Sequence, residues 1–223
     1  MTLLCEFVFV SDVSDVTDAK PSLRGKIHLA AIVPAIVGSI CLALHSQPSR
    51  FVSVLVYGTA LILLFSVSAI YHTPNWAPDI RSKLRRLDHS MIYIFIAGTY
   101  TPFCIALGGE AETLLLPIVW AGAGLGVLKS LLWINAPRFV TALLFVSLGW
   151  AIVVSIGDFY RNLGLLILGL LGAGGLMYTL GAFAYARKAP NPIPKVFGYH
   201  EIFHSLVVLA AVCHYTALWI TVA

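Results

Sequence analysis

Two short stretches of the chain hold side chains that bind metals or move protons. The first, Ser68-Ala-Ile-Tyr-His72, ends an apolar run and is followed, after a basic segment, by Leu87-Asp88-His89-Ser90. The second is His200-Glu201-Ile-Phe-His204, at the start of the last apolar run. On an α-helix, residues four apart stand on one face about 6 Å apart along the axis, so Ser68 faces the same space as His72, and His200 the same space as His204. Three imidazoles, from His72, His200 and His204, would fill three positions of a tetrahedral zinc and leave the fourth for water. That is the composition of a catalytic zinc site, since structural sites fill all four positions with protein. Asp88 is the carboxylate placed to take a proton from that water.

These residues need elements to bring them together, and the composition indicates which. Of 223 residues, 59% are hydrophobic and only 11% are charged, against about 25% charged in a soluble domain. Seven stretches reach the roughly 20 residues needed to cross a bilayer: residues 26–44, 51–71, 87–107, 113–132, 139–156, 163–185 and 199–222. The expectation is an all-α membrane protein, a seven-transmembrane-helix bundle at residues 26–223 preceded by a cytoplasmic tail at residues 1–25. Residues 11–19 carry Asp12, Asp15 and Asp18 at a spacing of three, which is not that of a calcium loop and reads as solvated chain.

Orientation follows from the cations, because cytoplasmic loops retain positive charge. Lys20, Arg24, Lys26, Arg81, Lys83, Arg85, Arg86, Arg138, Arg187, Lys188 and Lys195 lie on the N-terminal side, eleven of the 14 Lys and Arg residues. The N-terminus is therefore expected in the cytoplasm and, after seven crossings, the C-terminus outside. The cations read as contacts with anionic lipid head groups, and nucleic acid is not an expected partner. With this topology Ser68 and His72 end the second span, Asp88 opens the third, and His200 and His204 open the seventh, all at the cytoplasmic level.

The remaining candidates read more plainly. His28 lies at the depth of the site but is expected to be an ordinary interfacial histidine, as is His45 at the other end. His89 is expected to point away from the face of Asp88, and His214, ten residues past His204, lies about 15 Å deeper. His200-Glu201-x-x-His204 matches the zinc-protease helix literally, with Glu201 as base; a carboxylate on the cytoplasmic rim is the preferred reading of Glu201. Gly122-x-x-x-Gly126 and the glycines of residues 169–175 predict close helix packing. Pro74, Trp76 and Pro78 are expected to break the chain between spans two and three. Cys5, Cys41, Cys104 and Cys213 have no paired spacing and read as free, mostly buried thiols.

Together, Ser68-Ala-Ile-Tyr-His72, Leu87-Asp88-His89-Ser90 running to Ile96-Ala-Gly-Thr-Tyr-Thr-Pro-Phe103, and Gly198-Tyr-His200-Glu-Ile-Phe-His204 with His214-Tyr215 resemble the hemolysin III family. This is the bacterial branch of the progestin and adipoQ receptor family, related to adiponectin receptors and alkaline ceramidases. The resemblance implies a seven-helix bundle in the bacterial cell (inner) membrane, zinc on His72, His200 and His204, Asp88 holding the bound water, and Ser68 in support. It further implies a zinc-dependent hydrolase of a membrane lipid amide or ester, resembling a ceramidase. Two alternatives stand beside it: a receptor or sensor with structural zinc, and a pore-forming, cytolytic protein. The oligomeric state is left open.

Overall fold

The computed structural model describes residues 20–222, and among them the chain is helical throughout, with only a single isolated β-bridge between Ile193 and Phe197. Residues 1–19, which include Cys5 and the Asp-containing part of the tail, lie outside the described residues. In order, α1 is Lys26–His45, α2 Phe51–His72, α3 Pro78–Leu107, α4 Leu116–Leu132, α5 Arg138–Gly149, α6 Ile156–Arg187 and α7 Tyr199–Val222. Among the described residues six helical stretches are long and apolar enough to cross a membrane: Lys26–His45, Pro48–His72, Pro78–Leu107, Ala111–Leu132, Arg138–Arg187 and Tyr199–Val222. Large apolar side chains such as Val33, Leu44, Val52, Leu132, Val154 and Leu165 point outward. That belt is stable only against lipid, so the protein is a multi-span membrane protein.

Two boundaries differ from those expected. Helix α3 begins at Pro78, nine residues before Leu87. A proline at the first helical position lacks only an N–H that would be unsatisfied anyway, so Pro78 starts the helix instead of breaking the chain. Arg81, Lys83, Arg85 and Arg86 therefore ride on the first turns of α3, and the guanidinium of Arg86 donates to the carbonyl of Leu131 at the end of α4.

The second difference is where the two spans expected within residues 138–187 divide. Helix α5 tightens into a 3-10 turn at Trp150–Ser155, helical winding resumes at Ile156, and the break comes at Gly164, with φ 82° and ψ 172°. Trp150 Nε1 donates to Thr179 Oγ1 over 2.9 Å. In a straight helix those residues would be about 43 Å apart, so the run folds back on itself. Tyr100 of α3 supports the change of winding, its hydroxyl donating to the Gly149 carbonyl and accepting from the Ile152 N–H.

Helices approach closely where small residues permit. A Cβ at Gly98 would lie 2.8 Å from Ala60 Cβ, joining α3 to α2, and one at Gly126 would lie 2.3 Å from the Tyr93 ring, joining α4 to α3. Of the glycines expected to pack, Gly122, Gly126 and Gly174 sit against neighbouring helices, whereas Gly169 and Gly172 have nothing within 4 Å of an added carbon. Of the thiols, Cys104 is buried, Cys213 half-buried and Cys41 exposed on the outer face of α1, contrary to expectation; none of the three is in a disulfide.

The glycine contacts lead to a stability prediction. Gly126→Ala drives its methyl into Tyr93 and should destabilise the fold by about 1–3 kcal/mol, lowering the melting temperature in detergent. Gly169→Ala, with no neighbour within 4 Å of the added carbon, should melt at or above the wild-type temperature.

Candidate metal centre

Helix α2 ends at His72, followed by a brief loop that Trp76 pins by donating to the carbonyl of Ile70. The return helix then brings Asp88 back to the level of His72, whose Nε2 lies 3.6 Å from Asp88 Oδ2. Helix α7 starts at Tyr199, so His200 and His204 occupy its first turns. That start is well capped. Asn191 Oδ1 accepts the N–H of Tyr199, and Glu201 Oε2 reaches back to the N–H of Gly198, the second half of a capping box.

The other oxygen of Glu201 binds Arg24 Nε at 2.5 Å, and Glu201 is 1% exposed. Both carboxylate oxygens therefore hold structure, one tying the segment before α1 to α7 and the other closing the helix end. Glu201 is accordingly a poor general base, despite the literal protease motif. The same segment is tied further by Ser22 N–H to the Lys195 carbonyl and by Lys20 Nζ to the Pro74 carbonyl.

The three predicted ligand residues converge. His72, His200 and His204 are buried and each offers a ring nitrogen within 4.8 Å of the others. His72 Nε2 and His200 Nε2 are 3.2 Å apart. Zinc–nitrogen bonds of about 2.0–2.1 Å in a tetrahedron place ligand nitrogens about 3.3 Å apart, so this pair already has ligand spacing. One N–H···N bond can join these two, and with the His204 nitrogen close by the donor set of three imidazole nitrogens fits a metal ion.

Ser68 is also at the centre, reached through a residue expected to be ordinary. Its Oγ lies 2.8 Å from Nδ1 of His28, which is 3% exposed and stacks on His204 at 3.9 Å with the rings 5° from parallel. His28 is thus part of the cluster and not an interfacial residue. The signal that would have found it is depth, since it lies one turn into α1 at the level of the other histidines. His89 also differs from expectation. It lines the same cavity as Asp88, with its Nδ1 buried and unpartnered, because the cavity wraps far enough around α3 to reach the neighbouring residue. His214 stays apart as expected, its Nε2 3.2 Å from the Leu171 carbonyl on α6. His45 stacks on Trp219 at the far end of the bundle.

From this cluster a cavity of about 240 Å³ runs through the bundle, past Ile92 and Phe95 of α3 and Leu168 of α6, to Phe159. Beyond the histidine end its wall is mostly apolar, with Thr99, Tyr100, Tyr178, Thr179 and His214 also lining it. Such a cavity suits an amphiphile with its polar group at the imidazoles and its chain between the helices.

The Glu201 contacts are tested by substitution. Glu201→Ala strips Arg24 of its buried partner and uncaps α7, and should cost on the order of 3 kcal/mol, read as a lower melting temperature. Glu201→Gln keeps an oxygen for the Gly198 N–H and should lose less.

Comparison with known proteins places these features in context. The model of a family described as haemolysin-III related matches residues 17–215. The chain is 37% identical over 166 residues to "Hemolysin-3" of Bacillus cereus, covering 73% of this chain and 72% of that protein. It is 30% identical over 201 residues to "Monocyte to macrophage differentiation factor" of Homo sapiens, covering 86% and 80%. Over a shorter stretch of 96 residues, 38% of this chain and 42% of the relative, it is 36% identical to "Heptahelical transmembrane protein ADIPOR2" of Oryza sativa subsp. japonica.

Proposed function

The chain belongs to the haemolysin-III-related family, and from that premise we propose that it is a zinc-dependent hydrolase acting on an amide or ester bond of a membrane lipid. The observation that carries the proposal is the set of three buried ring nitrogens within 4.8 Å, with a carboxylate 3.6 Å from one of them, at the polar end of an apolar cavity. His72, His200 and His204 would hold the metal. Zinc there would supply Lewis acidity and bring the pKa of a water down to about 7.

The chain's own residues have defined tasks. Asp88 accepts the proton of the attacking water and later passes it to the leaving group. Ser68 supplies a hydroxyl that can donate to the oxygen on which charge develops. The apolar wall holds the acyl chain and excludes bulk water. The lipid is the proposed substrate, and anionic head groups meet the basic residues along the start of α3 and around the α6–α7 connection.

The topology is read in the same way. The folded-back run Arg138–Arg187 supplies two crossings, which makes seven, in keeping with the heptahelical description of the rice relative. The cation distribution supports an N-terminus and a metal centre at the cytoplasmic side of the cell membrane, with residues 1–25 leading into a bundle at residues 26–223.

Metal analysis combined with two kinds of variant tests the reading. Purified wild type should carry one zinc per chain, and the His200→Ala, His204→Ala double variant should carry none. Asp88→Asn should keep the metal and lose at least about 100-fold in hydrolysis, the size expected of a general base. A zinc-loaded wild type inert towards ceramides, acyl amides and phospholipids would instead support a non-enzymatic receptor or sensor with structural zinc. The name of the Bacillus cereus relative favours a further reading, membrane lysis; dye leakage from vesicles containing only the purified protein is its test.

A further inference from the structure

We propose that the first turn of α1 is a brace for the metal centre, with His28 as the positioning residue that sets the ring plane of His204. The proposal rests on the metal-centre reading above and assigns a role to a helix that supplies none of the three ligands.

The turn touches both ligand-bearing helices, each time beside a ligand. Towards α7, Arg24, just before the helix, meets Glu201, and His28 in its first turn meets His204, the two partners being three apart on α7. Towards α2, Gly25 packs so closely that a Cβ there would be 2.9 Å from His72 Cβ and 2.7 Å from Thr73 Oγ1, and its φ of +79° is one that side chains rarely adopt. One turn further, His28 Nδ1 meets Ser68 Oγ at 2.8 Å. The spacing between α2 and α7, and hence between His72 and the pair on α7, is set by what stands between them.

His28 does more than fill space. An imidazole ligand can swing about its last side-chain torsion, and metal affinity depends on holding its lone pair on the ion. The His28 ring lies 3.9 Å from that of His204 and 5° from parallel, with Phe65 at 5.0 Å and Ser68 fixing Nδ1. His28 thus forms a plate that is itself held by α2, against which the His204 ring rests. It is not one of the three mutually close ligands, so its effect on the metal passes through His204 and Ser68.

Cobalt(II) in place of zinc gives a direct readout, because its visible bands report coordination geometry without any substrate. Wild type, His28→Ala, His28→Asn and His28→Phe, each shown to be monodisperse and helical in detergent, are loaded with cobalt and titrated against a competing chelator. His28→Ala and His28→Asn should bind cobalt about 10–100-fold more weakly, the usual cost of losing a residue that orients a ligand, with displaced visible bands. His28→Phe, which restores a flat ring but not the bond to Ser68, should recover most of that loss. Ser68→Ala removes only the oxygen that holds the plate and should shift the bands in the same direction. Wild-type affinity and spectrum in His28→Ala or His28→Asn, or a His28→Phe no better than alanine, would overturn the brace while leaving the metal centre standing. A wild type that takes up no cobalt would overturn both.

Discussion

The convergence of three imidazoles on one point in a largely apolar interior is the constraint around which the bundle is arranged. His72, His200 and His204 are brought to that point by helices whose ends are separately secured, α2 by the Trp76 bond and α7 by Asn191 and Glu201. Burying polar rings together is costly unless their nitrogens find partners, and a cation is one partner that three of them can share. The arrangement is intelligible as a metal centre and hard to account for as packing, since apolar residues would fill the same space at less cost.

The rest of the bundle can be understood as support for that point. The close glycine contacts set α2, α3 and α4 at short separations, which fixes Asp88 relative to His72. The ion pair of Arg24 with Glu201 ties the chain before α1 to the helix that carries His200 and His204. Beyond the histidines the interior turns apolar and hollow, so one end of the molecule is polar and fixed while the other is roomy. This asymmetry suits an amphiphile, and in the proposed reaction it would place a carbonyl at the metal and an acyl chain among the helices.

Much of this was legible in the residues before any coordinates. Hydrophobic length identified the spans because a bilayer imposes its thickness directly. The i, i+4 spacing within each motif, combined with span direction, put Ser68, His72, Asp88, His200 and His204 at one level, and the structure brings them there. What was not legible depends on tertiary contacts. Pro78 reads as a breaker in isolation and proves to be a helix start. The reversal within Arg138–Arg187 falls at Gly164, whose φ of 82° leaves the helical region, and the 3-10 turn before it is served by the hydroxyl of Tyr100, a distant residue. Glu201 matches a catalytic motif whose chemistry is denied it by Arg24, 177 positions earlier. His28 belongs to no motif; its depth alone hinted at it, and its contacts with Ser68 and His204 place it in the cluster.

X-ray absorption at the zinc edge of the purified wild-type protein addresses the central claim most directly, because it reads the ligands and not merely the metal's presence. The account predicts a first shell of nitrogen and oxygen at about 2.0–2.1 Å, with the outer-shell scattering of three imidazoles. A zinc bound without imidazole scattering, or a properly folded protein that retains no zinc, would contradict it.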